Sequence, residues 1–361
     1  MDIKYEMILD EYKSKIELYE LLDKIVIEKL KDYVKELGII VNSVESRIKT
    51  EKSLKGKLEL KGSKYQSIND ITDILGARIV TFYCDDVDKF AAKLENDFVI
   101  DWENSVDKRK MHNIDQFGYM SLHYICSVPK DMYENKDYPE LNEIRFEIQL
   151  RSILQHTWAS IHHDTGYKND VEVPKEYLRA LNRLAGLLEL ADDSFSQIRA
   201  SLSDYRRRVK QVVKNGSFNE VELNGDSFDA YIENGGIDFL NKRIAAINNM
   251  EIEVVPLKNY LRVFKMFNFK TLKDLDDFVK NYSDMAYEFS VRQFSGKDLD
   301  IITSAAGLLA LCIVYVLDKD MGVNIVKYVL DTLYGERKNN EKLAKKLTEI
   351  GKTMGLVKSG D

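Results

Sequence analysis

"RFEIQLRSILQHTWASIHHDTGYK", residues 145–168, decides how the first half of this chain folds. Side chains alternate between the two faces of a strand. Phe146, Ile148 and Leu150 therefore share one face, and Arg145, Glu147, Gln149 and Arg151 share the other. The apolar set fits a core; the polar set fits either a solvated edge or one wall of a binding site. A helix-forming stretch follows at once and holds His156, His162 and His163, three of the chain's five histidines.

Working outward, "DILGARIVTFY" (73–83) is β-branched and aromatic, is bounded by Asp85-Asp86, and reads as a buried strand. "VDKFAAKLENDF" (87–98) reads as a helix. A second strand is expected at "GYMSLHYICSV" (118–128), stopped by Pro129, with Tyr119, Ser121 and His123 on one face; the third covers 144–150. Residues 5–37 space Ile8, Tyr12, Ile16, Tyr19, Val26, Leu30, Tyr33 and Leu37 as an amphipathic helix that ends at Gly38. From Pro174 the pattern turns helical, with a clear stripe over 183–210. "NGSFNEVELNGDSF" (215–228) reads as a linker. Short helices are expected over 229–361, with Thr271-x-x-Asp274 as a capping box and a Lys-rich amphipathic stretch at 337–350. The fold class is α+β: a mixed β-sheet flanked by helices in a first domain (1–214), followed by an all-helical C-terminal region (229–361).

Bulk properties narrow the function. A length of 361 residues supports two domains, and 44% apolar with 31% charged residues describes an ordinary globular chain. A net charge of -7 argues against a protein that coats nucleic acid, while 53 Lys and Arg leave room for a local phosphate pocket. Cys84, Cys126 and Cys312 are far apart with no CxxC pair, as expected of reduced thiols in the cytoplasm. "MDIKYEMILDEYKSK" is too acidic and interrupted for a signal peptide. The apolar run Ile301–Leu317 spans 17 residues with Thr303, Ser304 and Gly307 inside it. A membrane span wants roughly 20, so a buried core helix is expected and no membrane partner.

Two carboxylates, Asp73 at the opening of one strand and Glu147 on the polar face of another, would form a hard oxygen site for Mg²⁺ if neighbouring strands bring them together. Arg47, Lys49, Lys52, Lys55, Lys57 and Arg78 supply the cations that a triphosphate needs, although such a run equally suits a solvated helix face. There is no GxxxxGK[ST] or GxGxxG loop, so a nucleotide here would be held by side-chain cations. All five histidines fall within 112–163, at spacings that match no standard metal signature. Gly118-Tyr119 suits stacking on a flat ligand such as a nucleobase, or simply a core strand.

"RIKTEKSLKGK" (47–57), "DILGARIV" (73–80), "GYMSLHY" (118–124) and "FEIQLRSILQHTWASIHHDTGYK" (146–168) occur in the order and at the spacing of one family. The chain resembles the RelA/SpoT-type alarmone synthetases over residues 45–170. The resemblance implies a stand-alone pyrophosphokinase that moves the β,γ-pyrophosphate of ATP onto the 3′-hydroxyl of GDP or GTP and releases AMP. By the same resemblance, Asp73 holds Mg²⁺, and Glu147 serves as second ligand or base. Arg47, Lys49, Ser53, Lys57 and Arg78 hold ATP. Tyr119 stacks on the acceptor base, with His123, Gln149 and Arg151 nearby. Trp158, Tyr167 and Lys168 match the motif as packing and framing.

Two departures from the family pattern matter. A Pro-Lys pair before the Gly-Tyr motif is missing from "DKRKMHNIDQFGY" (107–119), where Lys108, Arg109 and Lys110 stand instead. The alternatives are therefore a toxic family member acting on the tRNA 3′ end or on an adenine nucleotide, and an inactive sensor module. Presence of both Asp73 and Glu147 argues against the inactive module. About 45 residues precede the first motif, too few for the HD-type hydrolase of longer relatives. Residues 229–361 carry none of these motifs, and homo-oligomerisation, autoinhibition or recognition of a partner such as a phage protein are the roles open to them.

Overall fold

Strand β6 (Phe146–Ser152) forms where the alternation expects it, with Phe146, Ile148 and Leu150 fully buried and the polar residues between them half-buried. In the computed structural model, which describes residues 3–61, 64–107, 121–130, 132, 139–164 and 175–356 (only the backbone of 162–164, 175, 176 and 178), β6 is central to a mixed sheet. Its other members are β1 (Val41–Ile48), β2 (Leu75–Thr81), β3 (Val99–Ile100), β4 (Val106–Asp107) and β5 (Leu122–Ser127). The order is β1-β2-β6-β5-β3, with β4 also on β5. Among the described residues of this sheet only the β2–β6 pair is parallel; β1–β2, β5–β6, β3–β5 and β4–β5 are antiparallel.

Chain segments expected as strands shift by a residue or two. The first begins at Leu75 and not at Asp73, and the second begins at Leu122 among the described residues, 118–120 lying outside them. β1 was not foreseen. Its sequence, "VNSVESRI", lacks clean alternation, and its burial does not alternate strictly either.

Helices α1 (Ile3–Ser14), α2 (Ile16–Leu37), α3 (Glu51–Lys61), α4 (Cys84–Asp97), α5 (Ile153–Asp164) and α6 (Lys175–Lys214) complete this part. The expected single helix over 5–37 is two helices in near succession. Gly38 ends α2 in the left-handed region at φ 61, a conformation that costs glycine nothing. Val26, Leu30 and Tyr33 of α2 and Phe90 and Leu94 of α4 share one core with the apolar face of β6. Each such side chain removed from water contributes about 1.5–3 kcal/mol. This leaves the opposite face of the central strands for polar chemistry.

By compactness the chain divides into residues 1–200 and 201–361. Among its described residues the second unit is helical except for one two-stranded sheet and a single bridge between Glu222 and Thr271. Its elements are α7 (Gly225–Glu233), α8 (Asp238–Ala245), β7 (Glu251–Glu253), α9 (Tyr260–Met266), α10 (Leu272–Phe294), β8 (Ile301–Thr303), α11 (Ala306–Asp318), α12 (Val323–Tyr334) and α13 (Lys338–Thr353). α11 is its buried centre, with Leu311, Cys312, Ile313, Val314 and Val316 fully enclosed. The 301–317 run is thus split: its β-branched start pairs as β8, and the helix begins only at Ala306. Among the described residues no helix is long and apolar enough to cross a membrane. The Thr271–Asp274 capping box is present at the start of α10.

The stretch 215–228, linker-like in composition, is instead anchored to this core. Leu223 is buried, Phe218 and Val221 lie against the cluster, and Leu223 N donates to Lys270 O at 2.8 Å.

Candidate active site

The register of three strands assembles the site. Gly76 of β2 lies opposite Glu147 of β6, and Arg78 opposite Gln149. β1 sets Arg47 opposite Gly76 and Glu45 opposite Arg78, while β5 sets His123 opposite Gln149. Since the side-chain period is two, these residues share the face turned away from the core. Glu45, Arg47, Gly76, Arg78, Glu147 and Gln149 join Asp73 in lining a cleft of about 190 Å³. Gly76 matters here because a side chain at that position would stand on the cleft floor between Arg47 and Glu147; no atom lies within 4 Å of where its Cβ would be.

Asp73 sits just ahead of β2, held by two ammonium groups. Lys57 Nζ from α3 is 2.5 Å from Oδ1 and Lys49 Nζ is 3.0 Å from Oδ2. Burial would raise the carboxyl's pKa, but the two lysines outweigh it and hold the group below the usual carboxylate range. The loop is fixed from behind. Lys49 N donates to Ile74 O at 2.7 Å, and Tyr12 Oη of α1 donates to Lys49 O at 2.7 Å.

Glu147 is oriented through both oxygens. Gln149 Nε2 donates to Oε2 at 2.7 Å, and His123 Nδ1 is 2.7 Å from Oε1. Ser121 Oγ lies 2.7 Å from His123 Nε2, and Arg151 Nη2 donates to Gln149 Oε1 at 2.7 Å. An ionised carboxylate only accepts, so His123 carries its proton on Nδ1 when neutral and receives at Nε2. Burial would raise the Glu147 pKa, but His123 and Gln149 turn the balance and bring it below the usual value, against a smaller opposing effect of Asp73.

On the other side cations crowd together, with Glu147 and Glu45 only partly offsetting their repulsion. Arg151 is pushed down to about 10, first by burial and then by Arg78, with Arg47 adding to it. The His156 imidazole is likewise lowered, by burial and then by Arg78 and Arg151. The Nε atoms of Arg78 and Arg151 and Nδ1 of His156 are buried and find no hydrogen-bond partner among the described residues. Among the described residues no carboxylate forms an ion pair with Arg47 or Arg78. Crowded guanidinium groups with unmet donors are the arrangement an anion relieves.

Of the residues singled out from sequence, Arg47, Asp73, Arg78, Glu147 and Gln149 meet in the cleft. Lys49 and Lys57 reach it through Asp73, and His123 and Arg151 through Glu147 and Gln149. Ser53 is exposed on α3, its N–H donating to Thr50 Oγ1 at 3.3 Å. Tyr119, Tyr167 and Lys168 lie outside the described residues, as do Lys108, Arg109 and Lys110. Arg145 is not part of the polar wall: it precedes β6 and bonds Asp101 and the Asn69 carbonyl. Sequence reasoning missed Glu45, Ser46 and Gly76. A glycine inside an otherwise β-branched strand was a signal for Gly76; nothing pointed to Glu45 and Ser46 without β1.

Residues 46–172 match the family model described as "Region found in RelA / SpoT proteins". These residues are a RelA/SpoT domain. The domain encloses every cleft residue named above except Glu45. The chain is similar to GTP pyrophosphokinase YwaC of Bacillus subtilis (strain 168), 24% identical over 203 residues, 53% of this chain and 92% of that one. It is similar also to GTP pyrophosphokinase YjbM of the same organism, 26% identical over 167 residues, 45% of this chain and 74% of that one. Among solved structures, small alarmone synthetase 1 from Bacillus subtilis bound to its product pppGpp aligns at a TM-score of 0.45 and 22% identity, covering 54% of this chain and 99% of that one.

Proposed function

We propose that the RelA/SpoT domain of this chain is an ATP:nucleotide 3′-pyrophosphotransferase, a GTP/GDP pyrophosphokinase that makes (p)ppGpp. The observation that supports it best is the meeting of Asp73 and Glu147 in one cleft with Arg47 and Arg78, which form no ion pair with a carboxylate among the described residues. In this reading the O3′–Pβ bond forms as the bond between the α- and β-phosphates of ATP breaks and AMP leaves. Glu147, ionised and aimed through both oxygens, takes the hydroxyl proton. Arg47, Arg78, Lys49, Lys57 and Ser53 bind the ATP, and neutralisation of charge by these groups is the main contribution to the rate. His123, Gln149 and Arg151 position Glu147 and face the acceptor, on whose base Tyr119 stacks.

The donor set suits Mg²⁺. Asp73 and Glu147 offer hard oxygen ligands, and among the described residues no group of three His, Cys, Asp or Glu would hold an ion alone. That fits an ion which completes its shell with water and substrate phosphates. When bound, Mg²⁺ would offset phosphate charge between the two carboxylates. The free thiols Cys84, Cys126 and Cys312 agree with the cytoplasm as the working compartment.

The test is a transfer assay with γ-labelled ATP and Mg²⁺, offering GDP, GTP, ATP alone and deacylated tRNA in parallel. Label on a guanosine nucleotide is expected. Label on tRNA would reassign the acceptor, and no labelled product would overturn the enzymatic reading.

A further inference from the structure

The second unit carries an open strand edge beside an apolar groove, and the cleft chemistry uses neither. β7 and β8 pair in parallel, Glu251 opposite Ile301, Ile252 opposite Ile302 and Glu253 opposite Thr303. Glu251 N donates to Asp300 O at 2.7 Å, and Glu253 O accepts from Ser304 N at 2.8 Å. Alternate residues of a strand bond to the same neighbour, so Ile252 turns its N–H and C=O the other way. Among the described residues no strand pairs with that side of β7. All three residues of β7 are exposed, and Val254, which follows, is 87% exposed. Open edges are ordinarily blunted by short length, charged side chains, proline, a bulge or a covering element; β7 has three residues and two carboxylates, which disfavour an acidic or like strand and leave a basic one. β7 reads Glu-Ile-Glu and runs on through Val254 and Val255 before Pro256.

Charge and shape select the occupant. The chain beyond β7 enters a groove of about 400 Å³ lined by Val254, Val255, Leu257 and Ile237. Its charged lining is acidic on balance: Lys258 is taken up by Asp229 at 3.2 Å and Glu233 by Lys210 at 2.8 Å, which leaves Asp238. Glu251 and Glu253 themselves are exposed on the sheet, and Asp298 and Asp300 are exposed just ahead of β8. Such a surface repels nucleic acid. Pairing of β7 with β7 of a second copy would set carboxylate against carboxylate.

We propose that the free edge of β7 binds an extended basic segment of a partner protein as an added strand, aliphatic residues entering the groove and lysine or arginine residues meeting the carboxylates. Main-chain hydrogen bonds to Ile252 supply affinity and the alternating side chains supply specificity.

The test reads binding alone, so its result is separate from that of the transfer assay. The full chain is titrated calorimetrically with a synthetic peptide of alternating valine and lysine, about eight residues long, and with its valine–glutamate counterpart. Binding of the lysine peptide is expected, weakened at least about tenfold, ~1.4 kcal/mol, by Ile252→Pro. The double change Glu251→Lys with Glu253→Lys alters only exposed side chains and is expected to weaken it as much; it serves should the proline variant unfold. No binding of the lysine peptide, equal binding of the glutamate peptide, or binding that is indifferent to both variants would overturn the proposal. So would β7-dependent self-association in sedimentation.

Discussion

Gly76 is the residue on which the cleft depends most plainly for space. Its missing side chain is what lets Arg47, Asp73 and Glu147 face a common volume. Gly76→Ala is expected to lower kcat/KM severalfold while the melting temperature moves by only a few degrees, because the added Cβ meets no neighbour within 4 Å; a collapse of the melting temperature would refute this. Asp73→Asn and Glu147→Gln are each expected to cut transfer by about 10³-fold, ~4 kcal/mol, with circular dichroism unchanged. Full activity in both variants would mean that the carboxylates were given the wrong task. At this scale the sequence was readable where polarity alternated, as at Glu147, Gln149 and Arg151. It was unreadable for Glu45, whose role comes only from standing opposite Arg78.

Among the elements, α1 braces the Asp73 side of the cleft. Tyr12 bonds the Lys49 carbonyl, and Glu11 Oε2 accepts from Ile68 N at 3.2 Å, so one helix holds both ends of the 49–68 segment, which carries the two lysines on Asp73. Tyr12→Phe, which removes only the hydroxyl, is expected to lower kcat severalfold and to leave the secondary structure intact; unaltered kinetics would remove α1 from the argument. A second fastening joins α4 to α6, where Arg199 pairs with Asp85 and with buried Asp86 and lies over the Tyr83 ring at 4.0 Å. Burial raises the Asp85 pKa, but Arg199 and Ser196 bring it below its ordinary value. A depressed carboxylate stabilises the fold above its unfolded pKa of about 3.9 and loses that contribution as pH falls through the lower folded value. Arg199→Ala is therefore expected to cost ~2 kcal/mol near neutrality, between the exposed and buried limits. In melts as a function of pH the gap to the unaltered chain should narrow below about pH 4. Elements with strict periodicity, such as β6 and α2, were legible. β1 was not, and the 301–317 run hid a strand because hydrophobicity alone does not distinguish a buried strand from a buried helix.

For the molecule as a whole, two separate hydrophobic clusters predominate, one around Phe146 and Tyr33 and the other around Phe264 and Leu311. Separate cores unfold separately unless strongly coupled. Scanning calorimetry is expected to resolve two transitions, of which a nucleotide shifts only one; a single transition with calorimetric and van't Hoff enthalpies equal would contradict this. Composition alone does not tell a linker from an anchored turn. Asn, Gly and Ser over 215–228 signal turns, and turns anchored by Leu223 look the same in composition as a free linker.

The two lysines on Asp73 have a consequence for the order in which the cleft fills. A carboxylate already neutralised by a pair of ammonium groups offers little to a bare cation, which must evict one of them to enter. Under the proposed function an incoming triphosphate would change that, giving Lys49 and Lys57 new oxygens to grip as it frees the aspartate. The lysines would then act as placeholders, passing from protein to substrate. Metal affinity should be weak in the empty cleft and strong once the nucleotide is aboard.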